Sequence, residues 1–537
     1  MPLLLFCAAY VLPGLFGRDP WKSADISAFG YMLSLAQGRS PWLAPTVGGL
    51  PADAALLPYW LGAGFIKLLG AALGPALAAR IPFAGLLVLA LVLTWYATYH
   101  LARTDAAQPL PFAFGGEAKP IDYARAIADG AVLALVASLG LLQLGHETTP
   151  ELAQLASVAL FVYALAASPF RAWQSRLAVL VALPALAASG APSVALALGL
   201  VGAVICHRSG YAPARRFAPW VMASAGASAG VAVALGAWAW RVGDGAASWS
   251  GAWSALRLVG WFTWPAWPLA VWTVWRWRGH LSARHISIPL GCVAVSMFAS
   301  MAMGGSDRAL MLGLPPLAVL AAFALPTLAR STAAAIDWFS VCFFTLGAIV
   351  IWVVYASIHT GMPAQPAVNI ARLAPGYAPS FSGLALALAV LGTAAWLWLV
   401  KWRTGRSRHP LWKSLVLPAS GVALCWLLLM TLLLPPLDHA RSYRSQVQRI
   451  ALQVPRGACV AAPDMPTAQV AALEFHGGYK VDATANAGQR GCPYLLLTET
   501  LREPRTAGPG WRLLARERRN TSEQEITAIY RRVAGTR

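Results

Sequence analysis

Acidic residues are scarce in this chain. It has 21 Asp+Glu in 537 residues, and all charged residues together make only 12%. A soluble domain carries roughly a quarter charged residues, so an ordinary cytosolic enzyme is excluded. The chain also lacks the aromatic-poor, polar composition of a disordered protein. Cysteine is sparse, with seven residues, and five of them (Cys7, Cys206, Cys292, Cys342 and Cys425) lie in apolar runs. There they read as small packed hydrophobes. No internal repeat and no low-complexity tract stands out. The Gly-Gly of PFAFGGEAKPIDYARAIADG (Pro111–Gly130) lacks the Gly-Lys-Ser/Thr ending of a phosphate loop.

Apolar surface is what the chain has in abundance. Hydrophobic residues make 58%, and 24 are Trp, which suits a protein anchored at two membrane interfaces. The 41 Lys+Arg give a formal net charge of +20. Nucleic acid is not the reason. The basic residues sit between apolar runs, as in Arg208–Arg216 and Lys401–Lys413, which is the positive-inside pattern of a polytopic membrane protein. The acids divide unevenly: 12 up to Pro436 and 9 from Leu437 onward. The expected organisation is therefore a transmembrane domain over 1–436 and a soluble domain over 437–537.

A membrane helix needs about 20 apolar residues. Met1–Leu15 reads as a first span, since it lacks the charged start of a signal peptide. Further spans are centred near residues 91, 136, 160, 184, 198, 230, 267, 295, 318, 347, 392 and 424. That makes about 13 transmembrane helices. The weakest pair is 184 and 198, where Ser189–Pro192 splits one long apolar run. Ala54–Leu73, with Lys67 inside it, reads as interfacial or re-entrant. With the amino terminus inside, the most basic loops face the cytoplasm. The outer side then holds the loop 17–53, His146–Pro150, Asp244–Ser254, Gly304–Arg308, His359–Ser380 and the tail. The tail alternates β-like runs (Ala458–Ala462, Tyr494–Thr498, Trp511–Ala515, Ile526–Tyr530) with a helix-like stretch at Thr467–Phe475, which predicts a small α/β domain. Cys459 and Cys492 stand at predicted strand edges. They pair or stay free, since sequence alone cannot fix their separation.

Scarcity of acids narrows the search for chemistry. Carboxylates beside membrane helices are costly and mark function. The outer set is Asp19, Asp25, Asp53, Glu147, Glu151, Asp244 and Asp307. Ile26–Ala36 is amphipathic enough to lie on the membrane, with Asp25 at its amino end near the helix dipole. There Asp25 serves as a base, or simply caps the helix. His146 and Glu147 form a second acidic site, although a lone His is equally an interface residue. HETTPE lacks the second His of a zinc-protease motif, so no metal site is expected from it.

Four segments together carry a family resemblance. They are DPWKSAD in the first outer loop, WLAPTVGGLPADAALLPYWLGAGFIKLLG, LGHETTPEL at an outer span end, and GGSDRALMLGLPPLAVLAA. In this order, with about 13 spans and an outer tail, the chain resembles the lipid-linked-sugar glycosyltransferases of the GT-C fold. It resembles especially the bacterial aminoarabinose transferases of lipid A and their relatives among protein O-mannosyltransferases. The resemblance implies a helical membrane bundle with a C-terminal periplasmic α/β domain in the bacterial inner membrane. It implies a polyprenyl-phosphate sugar donor, undecaprenyl in bacteria, and a lipid, glycan or protein acceptor. Membrane lipids surround it, and no nucleic acid is involved. Whether a cofactor or divalent metal takes part is left open.

The departures fall at the site. Where relatives carry Asp-Glu, this chain has Ala24-Asp25, so the expected acid falls on Ala24. Asp25 takes over after a small shift, Asp19 substitutes, or the enzyme uses another mechanism. The relatives' Glu-Lys-Pro-Pro is also missing, since Asp53-Ala54-Ala55 precedes Tyr59-Trp60. Lys22, Arg39 or Arg308 then supplies the lost positive charge. The candidate catalytic residues are Asp25, Glu147 and Asp19. The candidate substrate-binding residues are Lys22, His146, Arg308, Arg257, Asp53 and Tyr59, with Arg308 first for the leaving phosphate because guanidinium binds phosphate bidentately. A multi-pass transporter or flippase, or a polysaccharide polymerase or ligase, is the alternative.

Overall fold

The computed structural model describes residues 2–21, 23–53, 55–108, 119–238, 249–404, 413–487, 491–499, 507–518 and 526–533. Each of the thirteen expected span positions falls on a helix, from Pro2–Val11 to Val416–Leu432. Seven described helices are long and apolar enough to cross a membrane. Val416–Leu432 and Leu434–Arg441, bent by 76°, form an eighth candidate. The run split at Ser189–Pro192 becomes two helices, Ala172–Ala188 and Pro192–His207. Gly190 makes the turn with φ 90°, a conformation that costs a side chain but not glycine.

Leu56–Leu73 is one of the seven by length and composition. Its neighbours decide what it does. It leaves the loop 17–53 and is followed by Pro75–Ala102. Near the start of that next helix, Arg80 donates to the carbonyls of Leu15 and Arg18 at 3.2 and 2.6 Å. The helix Leu56–Leu73 therefore departs from the first loop and returns to it. Its second half exposes Leu68 at 79%. Lys67 lies over the ring of Trp42 at 4.9 Å. This is the geometry of a helix along an interface.

The first loop differs from expectation in one respect. Its helix starts at Ala24 and ends at Ala36. An amphipathic helix lying on the membrane would leave one face open, yet Asp25, Ile26 and every residue from Ala28 to Leu35 are buried. The reason is that it is covered twice. Gly62 of Leu56–Leu73 packs against Met32, and Gly30 packs against Ala471 of the tail helix Thr467–Gly477. Phe29 and Phe475 meet edge to face at 4.8 Å.

Strands β1 (Thr46–Val47) and β2 (Leu50–Pro51) pair as a small hairpin within the loop. The tail contributes β3 (Cys459–Ala461), β4 (Lys480–Asp482), β5 (Tyr494–Glu499), β6 (Trp511–Arg518) and β7 (Ile526–Arg532). Their order is β4-β3-β5-β7-β6. β3 runs parallel to β4 and β5, while β7 is antiparallel to β5 and β6. All four β-like runs and the helix-like stretch expected in the tail are present; β4 is additional. Cys459 and Cys492 form a disulfide with a Cα separation of 5.1 Å, which closes the alternative left open by the sequence. Leu434–Arg441 runs across the expected division at residue 436.

The tail and the first loop are bonded directly. Arg39 pairs with Glu474 at 2.5 Å, and Glu474 also accepts from the Gly48 amide at 3.1 Å. The Ala483 amide donates to the Gly48 carbonyl at 2.8 Å. Gly48 has φ 56°, and a Cβ there would meet Val470 at 2.5 Å, so this close approach requires glycine.

Candidate active site

The bent end of the last membrane helix, the first loop and the turn after Leu139–Leu144 converge on one polar cluster. Asp25 is its most enclosed member, with 1% exposure. Its Oδ2 accepts from Arg18 Nη1 and the Trp21 amide, both at 3.0 Å. Its Oδ1 accepts from the amide and hydroxyl of Thr148 at 2.8 and 2.7 Å. It does not cap its own helix; it ties the helix to the turn 145–149. Burial pulls its pKa up, but Arg18, Arg80 and Thr148 outweigh burial and hold it below the ordinary carboxylate value. It is a locked anion.

Glu147 lies in the same turn, and its surroundings shift it in the opposite direction. Its Oε2 accepts from Arg308 Nη2 at 2.7 Å, and its Oε1 from Gln143 at 2.8 Å. Burial and then the neighbouring Asp25 charge push its pKa up, against the pull of Arg308. Arg308 also reaches Thr149 at 3.2 Å and Glu151 at 3.3 Å. It keeps 24% side-chain exposure, so it faces the opening of the cluster. On the other flank, Arg441 donates to Gln143 at 2.7 Å. A ladder results: Arg441, Gln143, Glu147, Arg308.

Asp19 is gripped from the tail. Arg444 bonds both of its carboxylate oxygens, and Ser442 donates at 2.7 Å. His476 Nε2 stands 3.9 Å away. Burial pulls the Asp19 pKa up, but the bonds from Arg444 and Ser442 set it below the ordinary value. Burial pushes His476 down to about 4, so its imidazole is neutral near pH 7. The Asp19 amide and the Trp21 indole both donate to Asp438 Oδ1, at 2.8 and 2.9 Å. Arg18 and Arg441 both lie over the Trp21 ring, at 4.8 and 4.9 Å.

The other expected residues scatter around this cluster. Both ring nitrogens of His146 face main-chain carbonyls, Leu142 at 2.8 Å and Tyr10 at 3.0 Å, leaving neither to face a substrate. Tyr59 is buried and packs its ring on Tyr31 at 5.3 Å. Asp53 is exposed on the loop. Arg257 is exposed on Trp249–Phe262 and makes no bond to the cluster among the described residues. Lys22, Asp244 and residues 111–118 of the Pro111–Gly130 segment lie outside the described residues. The described residues contain no group of three or more His, Cys, Asp or Glu suited to a metal ion.

Members not singled out from sequence include Arg18, Gln143, Thr148, Asp438, Arg441, Ser442, Arg444 and His476. For Asp438, Arg441, Ser442 and Arg444 a signal existed. LDHARSYR, directly after the last apolar run, concentrates charge where the tail meets the first loop.

The sequence matches no protein-family model and no curated protein. Among solved structures it is similar to ArnT from Cupriavidus metallidurans bound to undecaprenyl phosphate, with TM-score 0.62 and 14% identity over 98% of this chain and 96% of that one. The apo state of the same protein matches with TM-score 0.62 and 14% identity, over 98% of this chain and 97% of that one. The chain shares the fold of that protein, of the GT-C type expected from the sequence.

Proposed function

We propose that this chain is a membrane glycosyltransferase that moves a sugar from a polyprenyl-phosphate donor to an acceptor hydroxyl at the outer, periplasmic face of the bacterial inner membrane. The observation that supports this reading is a buried acid–arginine cluster at the meeting of first loop and tail, in a fold shared with a protein captured with undecaprenyl phosphate. The disulfide in the tail suits an oxidising compartment, which supports the outer placement.

The geometry divides the roles. A general base needs an accessible lone pair and a pKa raised toward the working pH. Glu147 meets the second condition, and it sits beside the half-open Arg308. Each Asp25 oxygen accepts two bonds, which fills its lone pairs, so Asp25, the first expectation for the base, positions Thr148 and the turn that carries Glu147; each Glu147 oxygen accepts one bond among the described residues, from Gln143 or Arg308, and keeps a lone pair for the acceptor proton. In the proposed displacement the acceptor oxygen attacks the anomeric carbon and its proton passes to Glu147. The bond from that carbon to the phosphate oxygen breaks. The polyprenyl phosphate leaves with the electron pair, and Arg308 and Arg441 stabilise its charge. Asp19 holds the tail against the loop. Arg39, one replacement for the missing lysine, is already paired with Glu474, so Arg308 is the better source of that charge.

The test is transfer from undecaprenyl-phosphate sugars in detergent or proteoliposomes. Parent protein should transfer, and Glu147→Gln should lose at least about a hundredfold, the usual scale for a base. No transfer from any such donor by the parent would sink the function. Full activity of Glu147→Gln would sink the role of Glu147 alone.

A further inference from the structure

Gln143 stands between two charged side chains and bonds both. Its Oε1 accepts from Arg441 Nη1 at 2.7 Å, and its Nε2 donates to Glu147 Oε1 at 2.8 Å. The partners come from distant parts of the chain. Gln143 and Glu147 are four residues apart, on Leu139–Leu144 and the turn after it, whereas Arg441 ends the helix Leu434–Arg441.

The order of these bonds is dictated by chemistry. A guanidinium only donates, so the amide oxygen must face Arg441. That leaves the amide nitrogen to face Glu147, and an N–H donated to a carboxylate favours its ionised form. Reversing the amide would set N–H groups against Arg441 and a carbonyl against the carboxylate. Arg441 therefore fixes which state of Glu147 the amide supports. A hydrogen-bonded chain with a cation at its head is also polarised along its length, which strengthens the last bond.

Arg441 differs from the other cations of the cluster. Arg18 is paired with Asp25, Arg444 with Asp19, and Arg308 with Glu147 and Glu151. Arg80 is buried and directs its bonds to two carbonyls. Arg441 is half-buried and bonds no carboxylate among the described residues. It rests on the Trp21 ring at 4.9 Å, and the Trp21 indole also holds Asp438 on the same helix. Arg441 is thus a fixed cation with room for an anion, joined to Glu147 by a single amide.

We propose that Gln143 is a positioning residue that ties the readiness of Glu147 to take a proton to whether Arg441 holds an anionic phosphate. With Arg441 unoccupied, its charge and the amide favour the Glu147 anion and make it a weak base. A phosphate seated on Arg441 cancels that charge and weakens the polarisation of Gln143. Glu147 then becomes the stronger base, at the stage when an acceptor hydroxyl must lose its proton. The other groups near Glu147 are Asp25 on Ala24–Ala36, Arg308 on Asp307–Met311, and Glu151, which shares Arg308. Arg308 bonds Glu147 directly, so its influence does not pass through Gln143, and replacing Gln143 separates the two routes. That this phosphate belongs to the sugar donor rests on the transferase reading, whereas the coupling is measured without turnover.

The probe is the monomethyl ester of farnesyl phosphate, a phosphodiester with the single negative charge of a polyprenyl-phosphate sugar and no titration near neutral pH. It is added to the full chain in neutral-lipid nanodiscs, and calorimetry in two buffers of different ionisation heat counts the protons taken up on binding. Parent protein should take up a fraction of a proton, and Glu147→Gln should bind the probe without uptake. Gln143→Met, similar in length but without either bond, should show about half the parent's uptake or less, since it loses the amide route. Arg441→Gln leaves Gln143 in place and keeps the test standing if Gln143→Met misfolds. It should weaken binding about tenfold and, at saturation, lose most of the uptake. Parent-like uptake in either variant overturns the proposal, as does no uptake by the parent. In kinetics, the acidic limb of kcat reports the loaded enzyme and that of kcat/KM the free enzyme. The first should lie about one pH unit above the second, the scale of one neighbouring charge. Gln143→Met should bring the two limbs together, and limbs that stay as far apart as in the parent overturn the proposal. No transfer by the parent from any lipid-linked donor would remove the transferase reading and leave proton uptake to decide the coupling.

Discussion

Asp25 and Glu147 are two carboxylates in one cluster whose surroundings drive them apart. Asp25→Ala would strand Arg18, buried with 2% side-chain exposure, without its counter-charge. Losing one partner of such a pair costs about 3–5 kcal/mol. Chemical denaturation of the variant should show that loss. The sign of the pH dependence follows from the depressed pKa of Asp25: its contribution is present above the unfolded carboxylate pKa and is lost as pH falls through the lower folded value. Acid titration of the parent should therefore show destabilisation below the ordinary carboxylate range, and Asp25→Asn should flatten it. Glu147 behaves oppositely. Its raised pKa means that transfer should climb as pH rises through a value above the ordinary one. The pH–rate profile of kcat/KM measures this, and the limb should shift in Arg308→Gln, because Arg308 holds that pKa down. Sequence made both acids visible because acids are so few. It did not show which was locked, since that depends on Arg18, Thr148 and Arg80, which come from three separate segments.

The helix Ala24–Ala36 illustrates how far local pattern reaches. Its amphipathic run is legible, and its start falls within two residues of expectation. Its second covering layer is not legible, because the tail helix that supplies it lies more than 400 residues away in sequence. Gly30 marks that layer. A Cβ at Gly30 would meet the Ala471 Cβ at 2.6 Å. Gly30→Ala should therefore push the tail helix off the loop helix, at an overpacking cost of about 1–3 kcal/mol. Faster limited proteolysis of the tail would report it. The strands of the tail were legible for a simpler reason: β5 and β7 are short apolar runs bounded by turn residues, while β4, only three residues long, gives too little pattern to read.

At the scale of the molecule, tail and membrane bundle act as one structure. The disulfide closes a loop across a sequence separation of 33. Loop-closure entropy of that size is worth about 4 kcal/mol. Cys459→Ser with Cys492→Ser should lower the melting transition of the tail, read by near-UV circular dichroism. The bonds between tail and loop also settle a matter of parity. Between Asp53 and Ser442 lie twelve of the expected spans, counting Ala172–Ala188 and Pro192–His207 separately. Arg444 holds Asp19, and Ala483 bonds Gly48. Partners in such bonds stand on one side of a bilayer, so the crossings between them must be even in number. Fusing the two helices at Ser189–Pro192 gives eleven, and counting Leu56–Leu73 as a crossing gives thirteen. Making both changes would restore an even count, but the bonds from Arg80 back to Leu15 and Arg18 forbid the second. A few hydrogen bonds outside the membrane thus constrain the passes within it to an even number.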